Sequence, residues 1–229
     1  MTEVERIAQA YRELEARAGS RYDLRNRGNR LVLDERRRLA RKLLDDAGWL
    51  PLGQRRILEV GSGTGSELAW MLKMGASPQR LVGVDLLQER ILVARAAYPA
   101  LEFHQGNAEH LDFPDSTFEV AMAITLFSSI LNRSMARNVA REIVRVLRPG
   151  GGFLWYDFRY NSPSNRNVRG VTARAVRELF PGLDGRLYTI TVAPPVIRRL
   201  GPLTAIAYWS LARVPPARTH LMGLLRKPL

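Results

Sequence analysis

Short apolar runs alternate with longer amphipathic stretches along most of the chain, and glycine or proline marks the joins. Residues 3–18 and 34–48 carry helical spacing; in the second, Leu39, Leu43, Leu44 and Ala47 share one face opposite Arg and Asp. Ile57-Leu58-Glu59-Val60 has the pattern of a buried strand and is ended by glycines. A helix over Glu67–Met74 follows, closed by Gly75. The pattern then repeats: strands over 80–87, 101–107, 118–126 and 152–158, with helices over Gln88–Tyr98 and Arg133–Leu147 and a turn at 148–151. Beyond residue 170 a helix over Thr172–Phe180 and strands over 186–193 and 219–227 complete the set, with a mostly apolar helical segment over Pro195–Arg213, broken at Gly201-Pro202.

Strands alternating with helices imply a mostly parallel sheet covered on both faces, and right-handed crossovers make it doubly wound. The expected fold is therefore α/β, with seven strands. Residues 1–50 are expected to form an N-terminal helical cover or lid, and 51–229 the main domain, in which 158–218 supply substrate-side and cover elements.

Composition narrows the chemistry. The 229 residues include no cysteine, which excludes a disulfide framework, a thiolate zinc site and a thiol nucleophile. The three histidines, His104, His110 and His220, lie far apart, and no metal is expected. No apolar run reaches the roughly 18 residues of a membrane span. The N-terminus is charged and has no hydrophobic leader pattern, so the expected location is cytoplasmic.

The net charge of +13 is uneven. Residues 1–56 carry net +5, residues 57–157 net −2, and residues 158–229, with 12 basic and 2 acidic side chains, net +10. Of the 35 basic residues 32 are arginine, as arginine-favouring codon usage or recognition of phosphate or carboxylate would each produce. A near-neutral centre flanked by basic ends suits a ligand-handling core whose outer segments meet something acidic.

The segment LEVGSGTG (58–65) carries the chemistry. Three glycines after a buried strand and before a helix let a ligand approach the backbone, and the free N–H groups favour an anionic group. Asp85 ends the next strand 20 residues after Gly65, where a doubly wound sheet places a carboxylate for ribose hydroxyls; the plainer reading is a helix cap. A dinucleotide fingerprint needs Gly or Ala six positions from Gly61, counted inclusively, and Ser66 stands there, which disfavours a nicotinamide oxidoreductase.

LEVGSGTG, VGVDLL, QGNAEHLDFPDSTFEVAMAI and RVLRPGGGFLWYDF, in that order over about residues 55–160, resemble the class I S-adenosylmethionine-dependent methyltransferases. The resemblance implies a Rossmann-like fold, S-adenosyl-L-methionine as cofactor, and roles by position. Glu59 and the loop Gly61, Ser62, Gly63, Thr64 and Gly65 would hold the methionine end. Asp85 would bind the ribose, Leu86 would pack on adenine, and Asn107, Ala108 and Glu109 would read its edge, with Asn107 in place of the commoner aspartate. Ile124, Thr125 and Phe127 would line the sulfonium and the substrate entrance. The implied activity is methyl transfer to a small molecule, with a hydroxyl of an acidic or glycosylated metabolite expected.

A base has to come from near the strand ends. Asp157 and His220 are the candidates, with Tyr156, Arg159 and Tyr160 beside them for substrate. Tyr22, Arg25 and Arg30, in the polar segment 19–30, suit a lid that grips polar substrate groups, and equally a solvated connection. RNA is a less favoured acceptor: the +13 charge suggests it, but ITLF stands after the fourth strand where base-amino methyltransferases often carry Asn-Pro-Pro-Tyr, and no aromatic-basic interleaving is present. DNA is not expected as a partner. A non-catalytic cofactor-binding protein is the further alternative. The apolar-cationic segment 196–229 is expected to pack on the sheet or on a second subunit, with weak contact at an anionic membrane surface as the other reading, and the oligomeric state is open.

Overall fold

A computed structural model describes residues 1–18, 23–162, 165–199 and 204–229. Seven strands form one sheet: β1 (Ile57–Val60), β2 (Leu81–Asp85), β3 (Glu102–Gln105), β4 (Phe118–Ile124), β5 (Leu147–Phe158), β6 (Tyr188–Val192) and β7 (Arg218–Arg226). Their order is β3-β2-β1-β4-β5-β7-β6. The first five pair in parallel, and β7 runs antiparallel between β5 and β6. The order reverses at β1, which has β2 on one side and β4 on the other, so a crevice opens past the carboxyl ends of these strands.

The helices are α1 (Glu3–Ala18), α2 (Arg27–Asp46), α3 (Ser66–Trp70), α4 (Gln88–Ala97), α5 (Arg133–Val146), α6 (Ala173–Leu179), α7 (Pro194–Ile197) and α8 (Thr204–Leu211). Strand alternation divides the core into two layers. Leu58, Val60, Val84, Ala121, Phe153 and Trp155 join Ile7 of α1, Val139 and Ile143 of α5, and Val176 of α6. Ile57, Leu81, Val120, Met122, Leu154 and Tyr156 join Leu44 of α2, Leu68 of α3 and Ile91 of α4 on the other face. Strands buried on both faces explain the unbroken apolar runs in the sequence.

Three local expectations change. α2 begins at Arg27, inside the segment read as a connection, because the Asn26 side chain accepts from Gly28 N (2.8 Å) and Asn29 N (3.3 Å) and caps it. The helix over 67–74 is one α turn followed by a 3₁₀ turn, Met71–Met74, which ends at Gly75 with φ +82°. The turn at 148–151 is an irregularity within β5: Leu147 pairs with Phe118 before the register shifts to Gly152 opposite Val120.

Candidate active site

The glycine loop is stitched to β2. Gly61 N and Ser62 N both donate to Val84 O, at 2.8 and 3.0 Å. Gly61 has φ +74°, and a Cβ there would come within 2.9 Å of Leu126 Cδ1. Gly65 serves a different purpose: its missing side chain makes room for Phe103, whose Cζ would stand 2.5 Å from a Cβ.

Asp85 is buried and braces the loop. Its Oδ2 accepts from Gly63 N (2.8 Å) and its Oδ1 from Leu87 N (2.9 Å), just ahead of α4. It therefore ties the loop to the turn ahead of α4 without capping that helix, whose N-cap is Leu87, and also faces the crevice. Each ionised carboxylate oxygen has two lone-pair sites, so two bonds leave capacity for two ligand hydroxyls.

Past these strand ends lies a cavity of about 410 Å³. Gly61, Asp85, Leu86, Asn107, Ala108 and Ile124 line it, so half of the expected cofactor set converges on one space. Glu59, Ser62, Gly63, Thr64, Gly65 and Glu109 do not line it. Asn107 Oδ1 accepts Glu109 N at 3.0 Å, while the Glu109 carboxylate accepts from Asn138 at 2.8 Å. Glu59 is buried, and its Oε2 has no hydrogen-bond partner among the described residues. Burial and the nearby Glu67 hold its carboxyl well above the usual carboxylate range, against the pull of Arg36.

The opposite wall is α1, whose Ile7, Ala10, Tyr11 and Leu14 line the cavity. This helix is fastened down at several points. The Glu3 carboxylate accepts Leu131 N (2.5 Å) and Asn132 N (3.1 Å) and pairs with Arg6 at 2.8 Å. Arg6 also donates to Ser129 O at 2.5 Å. Tyr11 Oη lies 2.9 Å from Ser129 Oγ, under the Arg90 guanidinium 4.2 Å from the ring centre; Arg90 pairs in turn with Glu15 at 2.7 Å. Residues 1–50 were expected as a cover or lid, but no residue of α1 is among the expected site residues. The signal was present, since positions 7, 10, 11 and 14 form one helical stripe.

Of the residues expected at the sulfonium and the substrate, Ile124 and Thr125 line the cavity, whereas the candidate bases and the other described substrate residues do not. Asp157 is 1% exposed and sits behind the wall formed by Ser128 and Phe158, accepting both of their N–H groups (2.9 and 2.7 Å). Burial pushes its carboxyl up to about 6. His220 is buried between Tyr156, stacked at 4.8 Å, and Phe158 at 4.1 Å, and burial pushes it down to about 3. Phe127 packs in an aromatic cluster with Phe153, Trp155 and Phe180. Tyr156 is buried with its hydroxyl 2.9 Å from Thr191 Oγ1. Arg25 is exposed and pairs with Asp23, Arg30 donates to Leu24 O, and Arg159 lies over the exposed Tyr160. Tyr22 falls outside the described residues. Among the described residues, no cluster of three His, Cys, Asp or Glu could hold a metal, and no helix is long and apolar enough to cross a membrane.

Residues 57–151 match a family model described as a methyltransferase domain. This segment, less than half of the chain, is a methyltransferase domain. The phthiotriol/phenolphthiotriol dimycocerosates methyltransferase of Mycobacterium tuberculosis is 32% identical over 130 residues, 56% of this chain and 47% of that protein. The fatty-acid O-methyltransferase of Mycolicibacterium smegmatis is 31% identical over 160 residues, 63% and 57% of the two chains. This chain thus spans about half the length of the curated relatives it matches. A crystal structure of an S-adenosylmethionine-dependent methyltransferase from Mesorhizobium loti shares the fold, with TM-score 0.60 and 18% identity over 80% of this chain and 95% of that one. The cofactor of the domain family is S-adenosylmethionine. The cavity suits it: the Gly61 backbone is bare where a Cβ would clash, and the Asp85 carboxylate faces the space with acceptor capacity to spare.

Proposed function

We propose that this chain transfers a methyl group from S-adenosylmethionine to an oxygen of a small, largely apolar acceptor. One observation carries this reading. A single cavity joins the bare backbone and carboxylate of Gly61 and Asp85 to an apolar wall made by Ile7, Ala10, Leu14 and Ile130. On this reading Asp85 accepts the ribose hydroxyls, Leu86 packs on adenine, and Asn107 with Ala108 reads its edge. When bound, the cofactor supplies an electrophilic methyl group on a sulfonium. The protein's part is to align the acceptor and exclude water, which in the best intramolecular cases contributes on the order of 7–11 kcal/mol.

On this reading the lining recognises the acceptor's apolar body rather than a charge on it. Each arginine at the cavity already has a protein partner: Arg6 has Glu3, Arg90 has Glu15, and Arg198 donates to Asn29 Oδ1 at 2.8 Å. Asp157 serves as a positioning residue, holding the Ser128 and Phe158 backbone in the wall, and His220 is a packing residue. The named activities of the relatives, on fatty acids and phthiotriol dimycocerosates, agree with an apolar acceptor. The test is transfer of labelled methyl from S-adenosylmethionine into a cell extract split into RNA, protein, lipid and water-soluble metabolite pools. Label is expected in the solvent-extractable lipid pool; label confined to RNA or protein would overturn the reading.

A further inference from the structure

The face that adjoins the cavity through α7 combines exposed apolar side chains with arginine. Pro194, Pro195 and Arg198 of this segment line the cavity, and α7 packs against α8 and α2. α8, TAIAYWSL, has no charged side chain, yet Ile206 is 75% and Trp209 43% exposed. Val196 and Val214 are exposed on its flanks. Arg199 and Arg213, just before and just after this helix region, are exposed, as is Arg38 of α2, whose guanidinium lies 5.6 Å from the Trp209 ring centre. Acidic residues are scarce: residues 185–229 have seven basic side chains and none that is acidic, and α2 exposes Arg27, Arg30, Arg38, Arg41 and Lys42 against Asp34, Asp45 and Asp46, the last paired with Lys42.

We propose that this face docks on an anionic lipid surface. Exposed Ile and Trp on a short helix ringed by arginine match the chemistry of a membrane interface, where apolar side chains enter the headgroup boundary and cations meet anionic lipid. Charge sets this occupant apart from a second copy of the chain, whose own face would bring arginine against arginine. Docking here brings the cavity rim at Pro194 and Pro195 to the bilayer. The supply of an apolar acceptor from that bilayer rests on the reading proposed above; the docking itself does not.

The test is co-sedimentation of the full chain, without cofactor or acceptor, with vesicles of phosphatidylcholine alone and of phosphatidylcholine mixed with phosphatidylglycerol, at low and high salt. Binding is expected only to the anionic vesicles at low salt. The pair Arg199→Glu and Arg213→Glu should weaken it on the order of tenfold or more, and Ile206→Asp should also weaken it. The same charge change at Lys73 and Arg80, exposed and on the side of the sheet away from β6, should have little effect. Absence of low-salt binding would overturn the proposal. So would equal losses from the two charge-reversed pairs, which would reduce the effect to net charge, or a dimer in solution that Ile206→Asp dissolves. Because no methyl transfer is measured, failure here leaves the enzymatic reading standing, and failure of the transfer assay leaves this one.

Discussion

Tyr11 Oη and Ser129 Oγ stand 2.9 Å apart, and this contact joins the N-terminal helix to the turn that follows β4. Both residues line the cavity, so the bond lies inside the proposed acceptor site. Tyr11→Phe keeps the ring under Arg90 and removes only the hydroxyl. The expected loss is about 1 kcal/mol, or roughly fivefold in acceptor KM. Cofactor Kd, measured by calorimetry, should stay near wild type. A change in cofactor Kd with acceptor KM untouched would place Tyr11 at the other end of the cavity.

The glycines of the loop should separate by assay. Gly61→Ala forces a side chain into φ +74° and against Leu126, beside the cavity. Left-handed backbone alone costs roughly 1–2 kcal/mol, and cofactor affinity should fall about tenfold or more while the fold persists. Gly65→Ala drives its Cβ into the Phe103 ring and should show first as lost stability. Adding Phe103→Leu should recover part of that melting temperature. If it does not, the close packing at Gly65 is not what the glycine is for.

How much of this was legible beforehand follows from the kind of signal each part carries. ILEV, LVGVD and FEVAMAI are buried on both faces, so their apolar runs announce central parallel strands. The presence of Gly61 and Asp85 at one cavity was legible because both sit where parallel strands end, and spacing alone places them there. The insertion of β7 between β5 and β6 was not, since chain order does not state spatial order. Where the other expected side chains point was not legible for a related reason. Arg25 is polar and close in sequence to a lid, but it is exposed and its partner is Asp23, two residues away. Asp157 ends the correct strand, yet its carboxylate accepts backbone N–H groups from behind the wall. Only three-dimensional packing reveals such partners.

His220 makes acid lability measurable. Its folded value, pushed down to about 3, lies below the usual 6.5, so between these limits the unfolded chain binds a proton that the folded one refuses. Stability from this residue is therefore intact above about pH 6.5 and is lost as pH falls toward 3, at roughly 1.4 kcal/mol per unit at most. Asp157, raised from 3.8 to about 6, has the opposite sign: its burial costs stability above about pH 6, and the penalty fades as pH falls toward 3.8. His220→Phe leaves Asp157 in place, so the Asp157 contribution cancels in the difference. The gap in melting temperature between wild type and His220→Phe should shift steadily in favour of the variant from pH 7 to pH 4. A gap independent of pH would mean that His220 is solvated or protonated in the fold.

Thr125 is the residue to relax. It lies in the cavity lining at the end of β4 with φ +56°, unusual for a β-branched side chain, and its N–H donates to Tyr156 O at 2.7 Å. Its hydroxyl turns back to Ile124 O at 2.7 Å, and its own carbonyl faces Ser129 Oγ at 3.5 Å. The fold thus holds an uncommon backbone conformation where the acceptor is proposed to meet the methyl group, and such conformations cost about 1–3 kcal/mol. Thr125→Gly removes that cost and adds back about 0.5–1 kcal/mol of lost chain entropy. The variant should be more stable by about 1 kcal/mol, a rise of roughly 2–4 °C in Tm for a chain of this size. Its kcat should fall, because a freer backbone no longer holds the Ser129 turn and the Tyr11 contact in one place, while cofactor Kd stays unchanged. A lower Tm would show that the side chain contributes more packing than its backbone costs. A higher Tm with unaltered kcat would detach the conformation from catalysis.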